Sequence, residues 1–243
     1  MAMAAGLAKQ GMIPVVPIYS TFLQRSFDML IHDVALLGLH VVFAVDRAGL
    51  VGADGETHHG VFDLGYLRLV PGMQILCPAS RDELALLLKQ AVYELKGPVA
   101  VRYPRGGDGR YTGLSDTPVL RQGSDITLCG YGVMINNLLD AADLLAARGV
   151  EAEVVKLTRL APLETAYRAS AQKTGALLMA EEVLTHGGVY EQIAADPALA
   201  GVRKRGLDLG EGFVQHGTVP ELLRRAGLDA EHIAGAALEL LGS

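Results

Sequence analysis

The stretch that most constrains the fold runs from Val41 to Gly60, where an apolar segment empties into a polar, glycine-rich loop. The apolar residues Val41 to Val45 predict a strand. The loop after them carries Asp46, Arg47 and repeated glycines, which let a backbone turn sharply and approach a ligand closely. Open α/β sheets bind their ligands at such loops, beyond the carboxyl ends of the strands, so this pattern predicts an α/β fold with a site here.

Two side chains of this loop are candidates for chemistry. Asp54 and His58 can face one pocket, and an imidazole can donate or accept a proton near neutral pH. The alternative is structural: Asp54 caps the loop backbone and His58 is idle. His59 is the weaker candidate of the two neighbouring histidines.

The first half of the chain alternates apolar strands with helices. Alternation of this kind gives a largely parallel sheet, so the strand ends should fall on one side. Thr21 and Ser80 are predicted N-caps, and Glu83 is placed to complete a capping box with Ser80. The predicted strands are 12–18, 40–45, 73–77 and 99–103, and the predicted helices are 1–11, 22–37, 61–69 and 81–95.

A second α/β unit follows a polar, glycine-rich segment at 106–123, which is interpreted as a linker. We therefore predict two domains, 1–115 and 116–243, each with a mainly parallel sheet flanked by helices. Glu181 and Glu182 follow an apolar strand, with His186 nearby; a solvated loop is favoured over a metal site because their spacing matches no ligand motif. The predicted strands of this unit are 126–129, 152–156, 176–180 and 202–207, and its helices are 134–148, 162–173, 189–195, 218–226 and 231–241.

Composition excludes several classes of protein. The 243 residues carry a net charge of -6 without a basic cluster, which argues against nucleic acid or an anionic membrane as a partner. No apolar run is long enough to span a bilayer. Cys77 and Cys129 lie in apolar strands and are predicted to be buried, which is consistent with a reducing cytoplasm.

Three motifs carry a family resemblance: IYSTFLQRSFD, DRAGLVGADGETHHGVFDLGYLR and VRYPRG. Together they resemble the 1-deoxy-D-xylulose-5-phosphate synthases, a family of transketolase-like thiamine-diphosphate enzymes. The resemblance implies an incomplete pyrimidine-binding domain followed by a transketolase C-terminal domain. It also implies a cytoplasmic homodimer that uses thiamine diphosphate and Mg²⁺ to condense pyruvate with glyceraldehyde 3-phosphate, with loss of carbon dioxide.

The same motifs imply roles for individual residues. Phe22 should stack on the aminopyrimidine ring of the cofactor; the alternative is a core contact of its helix. Tyr19 and Arg25 should reach the acceptor substrate, Arg25 through its phosphate. Arg105 should be the second group that holds this phosphate, since a guanidinium matches phosphate oxygens. Surface salt bridges are the alternative for both arginines. Asp54 and His58 are implied as catalytic, and no residue of this chain is implied as a metal ligand.

The resemblance begins partway through the family's second domain. The diphosphate-binding domain and the acidic residue that activates the cofactor correspond to positions ahead of Met1, so these 243 residues alone are expected to be inactive. Two other hypotheses remain: one half of a split transketolase-like enzyme, or a non-catalytic dimerisation or regulatory module. A pyruvate-dehydrogenase β-type subunit shares the domain order but is not expected to carry both YPRG and ADGETH.

Overall fold

The computed structural model describes residues 1–242, which form two five-stranded sheets with helices packed against them. In chain order the strands are β1 (Val15–Tyr19), β2 (Val41–Asp46), β3 (Gln74–Leu76), β4 (Pro98–Arg102), β5 (Val119–Arg121), β6 (Ile126–Tyr131), β7 (Ala152–Leu157), β8 (Arg159–Ala161), β9 (Ala176–Ala180) and β10 (Arg203–Leu207). The helices are α1 (Ala2–Lys9), α2 (Ser20–Leu23), α3 (Phe27–Met29), α4 (Asp63–Leu67), α5 (Arg81–Tyr93), α6 (Met134–Ala146), α7 (Ala166–Thr174), α8 (Tyr190–Ala194), α9 (Val219–Arg225) and α10 (Ala230–Leu241).

The first sheet has the strand order β1-β2-β4-β3-β8, and only β8 runs antiparallel to its neighbour. The apolar residues of β2 and β4 are buried, as expected for parallel strands covered on both faces. Tyr19 lies opposite Asp46, and Val45 lies opposite Arg102. The carboxyl ends of three strands therefore lie side by side, which confirms the prediction that the strand ends fall on one side.

The segment after β1 differs from the regular helix predicted over 22–37. Helical structure begins at Ser20 and passes through a 3₁₀ turn at Gln24–Ser26 and a π-helical stretch at Leu30–Ala35. The predicted cap at Thr21 is wrong, because Tyr19 holds the N-cap position. The Thr21 hydroxyl instead donates a 2.8 Å hydrogen bond to the carbonyl of Thr57. Thr21 thus ties this segment to the candidate loop.

The prediction for α5 is confirmed at its cap and wrong in one detail. The hydroxyl of Ser80 accepts a hydrogen bond from the Glu83 N–H, as an N-cap does. The Glu83 carboxylate does not complete a capping box. One of its oxygens accepts from the Ala79 N–H at 2.8 Å and the other from the Tyr111 hydroxyl at 2.6 Å, because Glu83 is buried.

The second sheet has the order β10-β9-β6-β7-β5, in which β5 alone is antiparallel. Strand β5 lies within the segment 106–123 that is predicted to be a linker. This segment therefore contains a strand, which its polar, glycine-rich composition did not indicate. At α9, Thr218 and Glu221 form a reciprocal capping box, which confirms the predicted cap.

Two features join the sheets. Strand β8 comes from the second half of the chain but pairs with β3 of the first sheet. On β7, the buried Lys156 ammonium donates to Glu83 of α5 and, at 3.1 Å, to the Tyr111 hydroxyl.

The division of the chain into two domains between residues 115 and 116 stays a prediction. Across residues 1–242, no helix has both the length and the apolar character needed to cross a membrane.

Candidate functional site

The loop after β2 is closed by a pair of backbone hydrogen bonds at its base. Gly49 and Gly60 each donate an N–H to the other's carbonyl at 2.8 Å. A Cβ on Gly60 would lie 2.2 Å from the Arg47 carbonyl oxygen, so a side chain cannot fit there. Gly49 has φ +79°, a conformation that favours glycine. These two glycines explain why the loop closes at this point.

Arg47 adopts a strained backbone conformation at the start of the loop, with φ +57°. Its N–H donates to Asp46 at 2.7 Å, and its guanidinium bonds to the same carboxylate at 2.9 Å. The guanidinium also stacks on the Tyr19 ring, 3.9 Å from the centroid. These contacts stabilise a backbone conformation that a non-glycine residue rarely adopts, and they hold the guanidinium at the sheet edge.

Asp54 lies between two guanidinium groups. One carboxylate oxygen accepts from Arg47 Nε at 3.2 Å, and the other accepts from Arg105 Nη1 at 2.7 Å. Burial alone would raise the pKa of Asp54, but the hydrogen bonds and charges of Arg47 and Arg105 outweigh it and hold the pKa below its usual value. Asp54 is therefore ionised at neutral pH and links the loop to Arg105 in the segment after β4.

Aromatic rings continue this cluster on its other side. The rings of Tyr19 and Phe22 stack with centroids 5.4 Å apart, and His58 meets Phe22 edge-on at 5.4 Å. Phe22 is half exposed, which argues against the alternative hypothesis that its side chain is a core contact of its helix. His58 Nδ1 lies 2.9 Å from the Thr57 hydroxyl, which leaves Nε2 directed away from that bond.

The structure brings five of the six expected site residues into one connected cluster, and Arg25 is the exception. Arg25 lies one helical turn beyond Phe22, is exposed, and forms no side-chain hydrogen bond or ion pair within residues 1–242. The five connected residues are Tyr19, Phe22, Asp54, His58 and Arg105.

His59 has a structural position. It is almost fully buried; its Nδ1 accepts from the Val51 N–H at 3.3 Å, and its Nε2 lies 3.2 Å from the carbonyl of Gln215. Burial lowers the pKa of His59, so the imidazole is neutral at pH 7 and donates from Nε2. The ring therefore connects the loop to the second half of the chain.

The interpretation of Glu181 and Glu182 as a solvated loop is wrong. Both are buried, with relative exposures of 2% and 6%. The Glu181 carboxylate accepts from the N–H groups of Val189 and Tyr190 and from the Tyr131 hydroxyl. Glu182 lies against the candidate loop. The sequence signal was available: two acidic residues directly after a fully apolar strand lie at the buried sheet end, where loops meet.

A buried ion pair fixes the far end of the loop. Arg102, the last residue of β4, donates to both oxygens of Asp63 at 3.0 and 2.9 Å and to the Gly60 carbonyl at 3.1 Å. Both charged groups are almost fully buried. The neighbouring charge of Asp63 raises the pKa of Arg102 despite desolvation, so it stays charged. No sequence pattern predicted this pair, although Arg102 lies in the VRYPRG motif.

Arg47 is a further member of the cluster that the sequence analysis left without a role. The signal was its position, directly after an apolar strand and next to an acidic residue. Together, Arg47 and Arg105 place two cations at the edge of an aromatic patch, and Arg105 is about half exposed. A guanidinium has five N–H donors in a planar fork, so such a pair can bind a phosphate group. Residues 1–242 contain no group of three or more His, Cys, Asp or Glu side chains placed to hold a metal ion.

Comparisons with known proteins agree with this fold. The family model described as the transketolase pyrimidine-binding domain matches residues 1–107, and that of the transketolase C-terminal domain matches residues 115–233. A solved structure titled "Split gene transketolase, inactive beta4 tetramer" is similar with a TM-score of 0.85 and 29% identity, over 100% of this chain and 80% of that one. The chain belongs to the transketolase family.

Curated relatives narrow the comparison within that family. A 1-deoxy-D-xylulose-5-phosphate synthase of Chlorobaculum tepidum is 46% identical over 97% of this chain and 39% of its own length. A protein of the same name from Thermomicrobium roseum is 43% identical over 99% of this chain and 40% of its own length. The chain thus spans about two fifths of the length of these relatives.

Proposed function

We propose that the chain is the pyrimidine-binding and C-terminal part of a 1-deoxy-D-xylulose-5-phosphate synthase. The intact enzyme would condense pyruvate with glyceraldehyde 3-phosphate and release carbon dioxide, as a cytoplasmic homodimer that uses thiamine diphosphate and Mg²⁺. The observation that carries the proposal is the cluster in which Asp54 joins Arg47 to Arg105 beside the rings of Tyr19 and Phe22.

The arginines of the cluster are proposed to bind the acceptor's phosphate. Arg105 uses one Nη for Asp54, and its half-exposed side chain can turn its remaining N–H groups toward a ligand. Asp54 stays ionised and keeps Arg47 and Arg105 close together without an additional bound anion. Arg25, exposed on the helical segment beyond Phe22, is proposed to add a further cation once a sugar phosphate is bound.

His58 is proposed to carry a proton at the acceptor's carbonyl or hydroxyl oxygen. Its Nδ1 is occupied by the Thr57 hydroxyl, and the ring is partly exposed beside Phe22, so Nε2 is the atom available to substrate. Asp54 would contact the same substrate from the other side of the loop and orient it for that proton transfer.

The aromatic patch fits the pyrimidine ring of the cofactor. Phe22 is half exposed and is held from behind by the parallel ring of Tyr19, so its outer face can stack on a flat heterocycle. When bound, thiamine diphosphate supplies a nucleophilic carbon that attacks a keto acid and accommodates the electrons released with carbon dioxide. The residues that hold its diphosphate and Mg²⁺ are proposed to lie in the part of the relatives that this chain does not match.

Titration of the purified chain with glyceraldehyde 3-phosphate, followed by calorimetry, tests the proposal. We expect weak binding that Arg105→Ala reduces at least tenfold, because a hydrogen bond to a charged group contributes roughly 1.5–3 kcal/mol and 1.4 kcal/mol corresponds to a factor of ten. Carbon dioxide release from pyruvate by the same sample is expected to be absent, since the chain matches about two fifths of its relatives.

The control variant is Arg148→Ala, which removes the same charge from an exposed position just after α6 and should leave binding unchanged. Glyceraldehyde without phosphate is the control ligand and should bind more weakly. Equal affinities of the wild type and the Arg105→Ala variant would contradict the phosphate role. Turnover by the chain alone would contradict the proposed need for the unmatched part.

A second candidate is one half of a split transketolase-like enzyme. The observation in its favour is the full coverage of this chain by the split-gene transketolase structure. In that case a separate polypeptide carrying the diphosphate-binding domain should co-purify with this chain and restore turnover. The first candidate requires that domain on the same polypeptide.

A further inference from the structure

Glu182 lies where the second half of the chain meets the candidate loop. It is 6% exposed, and a Cβ on Gly49 would lie only 2.6 Å from its Oε2. Leu50 and Glu182 line the same cavity. The carboxyl group therefore packs against the loop backbone at Gly49. Gly49 lies two residues after Arg47 and is one of the two glycines that close the loop.

Glu182 also lines a cavity of about 260 Å³ between the two halves, together with Leu50 and Arg105. With the loop in this position Glu182 is only 6% exposed, and movement of the loop away from it would expose the carboxyl group to water. Its surroundings differ from those of Glu181, whose oxygens are occupied by N–H and O–H donors of the second half.

We propose that Glu182 is a positioning residue that holds the 47–60 loop from the second half of the chain, so that its charge state governs how tightly Arg47 and Asp54 are fixed. That these two residues then bind a substrate rests on the proposed function. The loop contact itself rests on the geometry of Glu182, Gly49 and Leu50.

The titration of Glu182 gives the contact a pH dependence. Desolvation raises the pKa of Glu182 to about 7, although the Arg102 guanidinium and the Leu50 N–H oppose the rise. Arg105 faces the same cavity, and the Cys77 thiol, whose pKa is raised to about 11, stays neutral nearby. In an open loop the carboxyl would be hydrated and would ionise near its usual pKa.

The direction of the effect follows from proton linkage. Because the closed loop binds the proton more tightly than the open loop, deprotonation favours opening. Opening should increase by up to tenfold per pH unit between about pH 5 and 7 and level off above pH 7. His59, in the same loop, has a lowered pKa and would act in the opposite sense as the pH falls.

Hydrogen exchange of the full 243-residue chain, followed by mass spectrometry between pH 5 and 8.5, tests the proposal. After correction for the intrinsic pH dependence of exchange, peptides that contain Gly49, Val51 and Gly60 should exchange faster as the pH rises to 7. Their N–H groups are all bonded within the loop. In Glu182→Gln this extra slope should disappear, and the difference between the two proteins removes the contribution of His59.

Glu181→Gln is the matched control, since it alters a neighbouring buried carboxyl that does not contact the loop. It should keep the wild-type slope at 47–60. If Glu182→Gln does not fold, Gly49→Ala approaches the same contact from the loop side and should raise exchange there at every pH while reducing the slope. An unchanged slope in Glu182→Gln, or no extra slope in the wild type, overturns the proposal.

This experiment needs no ligand, so its outcome is separable from that of the proposed function. A slope that Glu182→Gln removes, without binding of glyceraldehyde 3-phosphate, would support the positioning role and contradict the function. Phosphate-dependent binding without the slope would do the reverse.

Discussion

At the scale of single residues, buried charges at the ends of the strands define this molecule. Asp63 and Arg102 neutralise each other inside the first sheet, whereas Asp54 holds two arginines at its edge. Glu182 differs from them, because no cation is bonded to it within residues 1–242 and burial raises its pKa to about 7. A group of this kind makes stability depend on pH.

We therefore predict that the free energy of unfolding contains a contribution from Glu182 that is lost as the pH rises. The folded state holds this proton up to about pH 7, while the unfolded state releases it near 4.5, so the contribution is complete below pH 4.5 and gone above 7. Relative to Glu182→Gln, the wild type should lose about 2–3 kcal/mol across this window. Urea unfolding at pH 5 and 7.5, followed by circular dichroism, measures the difference.

Glu239→Gln provides the control for that measurement, since Glu239 is largely exposed. Its stability difference from the wild type should change little between the two pH values. The same small change in Glu182→Gln would show that the Glu182 carboxyl is hydrated in the folded protein.

At the scale of elements, the loop after β2 depends on backbone closure more than on its side chains. The hydrogen-bonded pair of Gly49 and Gly60 brings the two ends of the loop together, and Arg102 fixes the Gly60 carbonyl from β4. Thr21 adds a bond from the neighbouring helical segment to Thr57. The loop is thus held from two elements of the first half, β4 and the helical segment after β1, and from Glu182 and Gln215 of the second half.

We predict that Gly60→Ala destabilises the protein by roughly 1–3 kcal/mol, because the added methyl group would overlap the Arg47 carbonyl oxygen and the Ser20 side chain. Thermal unfolding followed by circular dichroism measures the effect. Gly235→Ala is the matched control: it lies inside α10 with open space around it, and the better helix propensity of alanine should stabilise by roughly 0.5–1 kcal/mol. A Gly60→Ala variant as stable as the wild type would mean that the loop can move to accommodate the methyl group without loss of stability.

At the scale of the whole molecule, polar groups and not only apolar packing join the two sheets. Lys156 of β7 reaches Glu83 of α5, and Tyr111 bridges them from the connecting segment. Desolvation lowers the pKa of Lys156 to about 8, although the charge of Glu164 opposes the shift, so the ammonium group is charged at pH 7 beside the Glu83 carboxylate. Strand β8 adds a backbone connection by pairing with β3.

We predict that Lys156→Met lowers the free energy of unfolding by about 3–5 kcal/mol, since it leaves the buried Glu83 charge without its cation. The double variant Lys156→Met with Glu83→Gln should recover part of this loss, because the uncompensated charge is then removed. Urea unfolding at pH 7 measures both. Removal of the exposed pair between Arg224 and Glu231 should cost less than about 1 kcal/mol. A similar cost for both pairs would show that Lys156 is solvated.

The sequence by itself determined the alternation of strands and helices, the parallel order that aligns the strand ends, and the caps at Ser80 and Thr218. These features follow from hydrophobic periodicity and from capping residues, both of which are local properties of the sequence. The motifs that carry the family resemblance also indicated five of the residues that meet at the sheet edge.

Only the tertiary structure decided which charges are buried and what crosses between the two halves. The Arg102–Asp63 pair and the Lys156–Glu83 contact depend on partners that are far away in sequence, so no local pattern distinguishes them from solvated charges. The position of Glu182 after an apolar strand indicates a buried sheet end, but the loop that it meets is set by the tertiary structure. The short strands β5 and β8 likewise form because each pairs with a strand at the edge of a sheet, β5 with β7 and β8 with β3. Arg47, with its positive φ, is stable only because Tyr19, Asp46 and Asp54 surround its guanidinium in the folded chain.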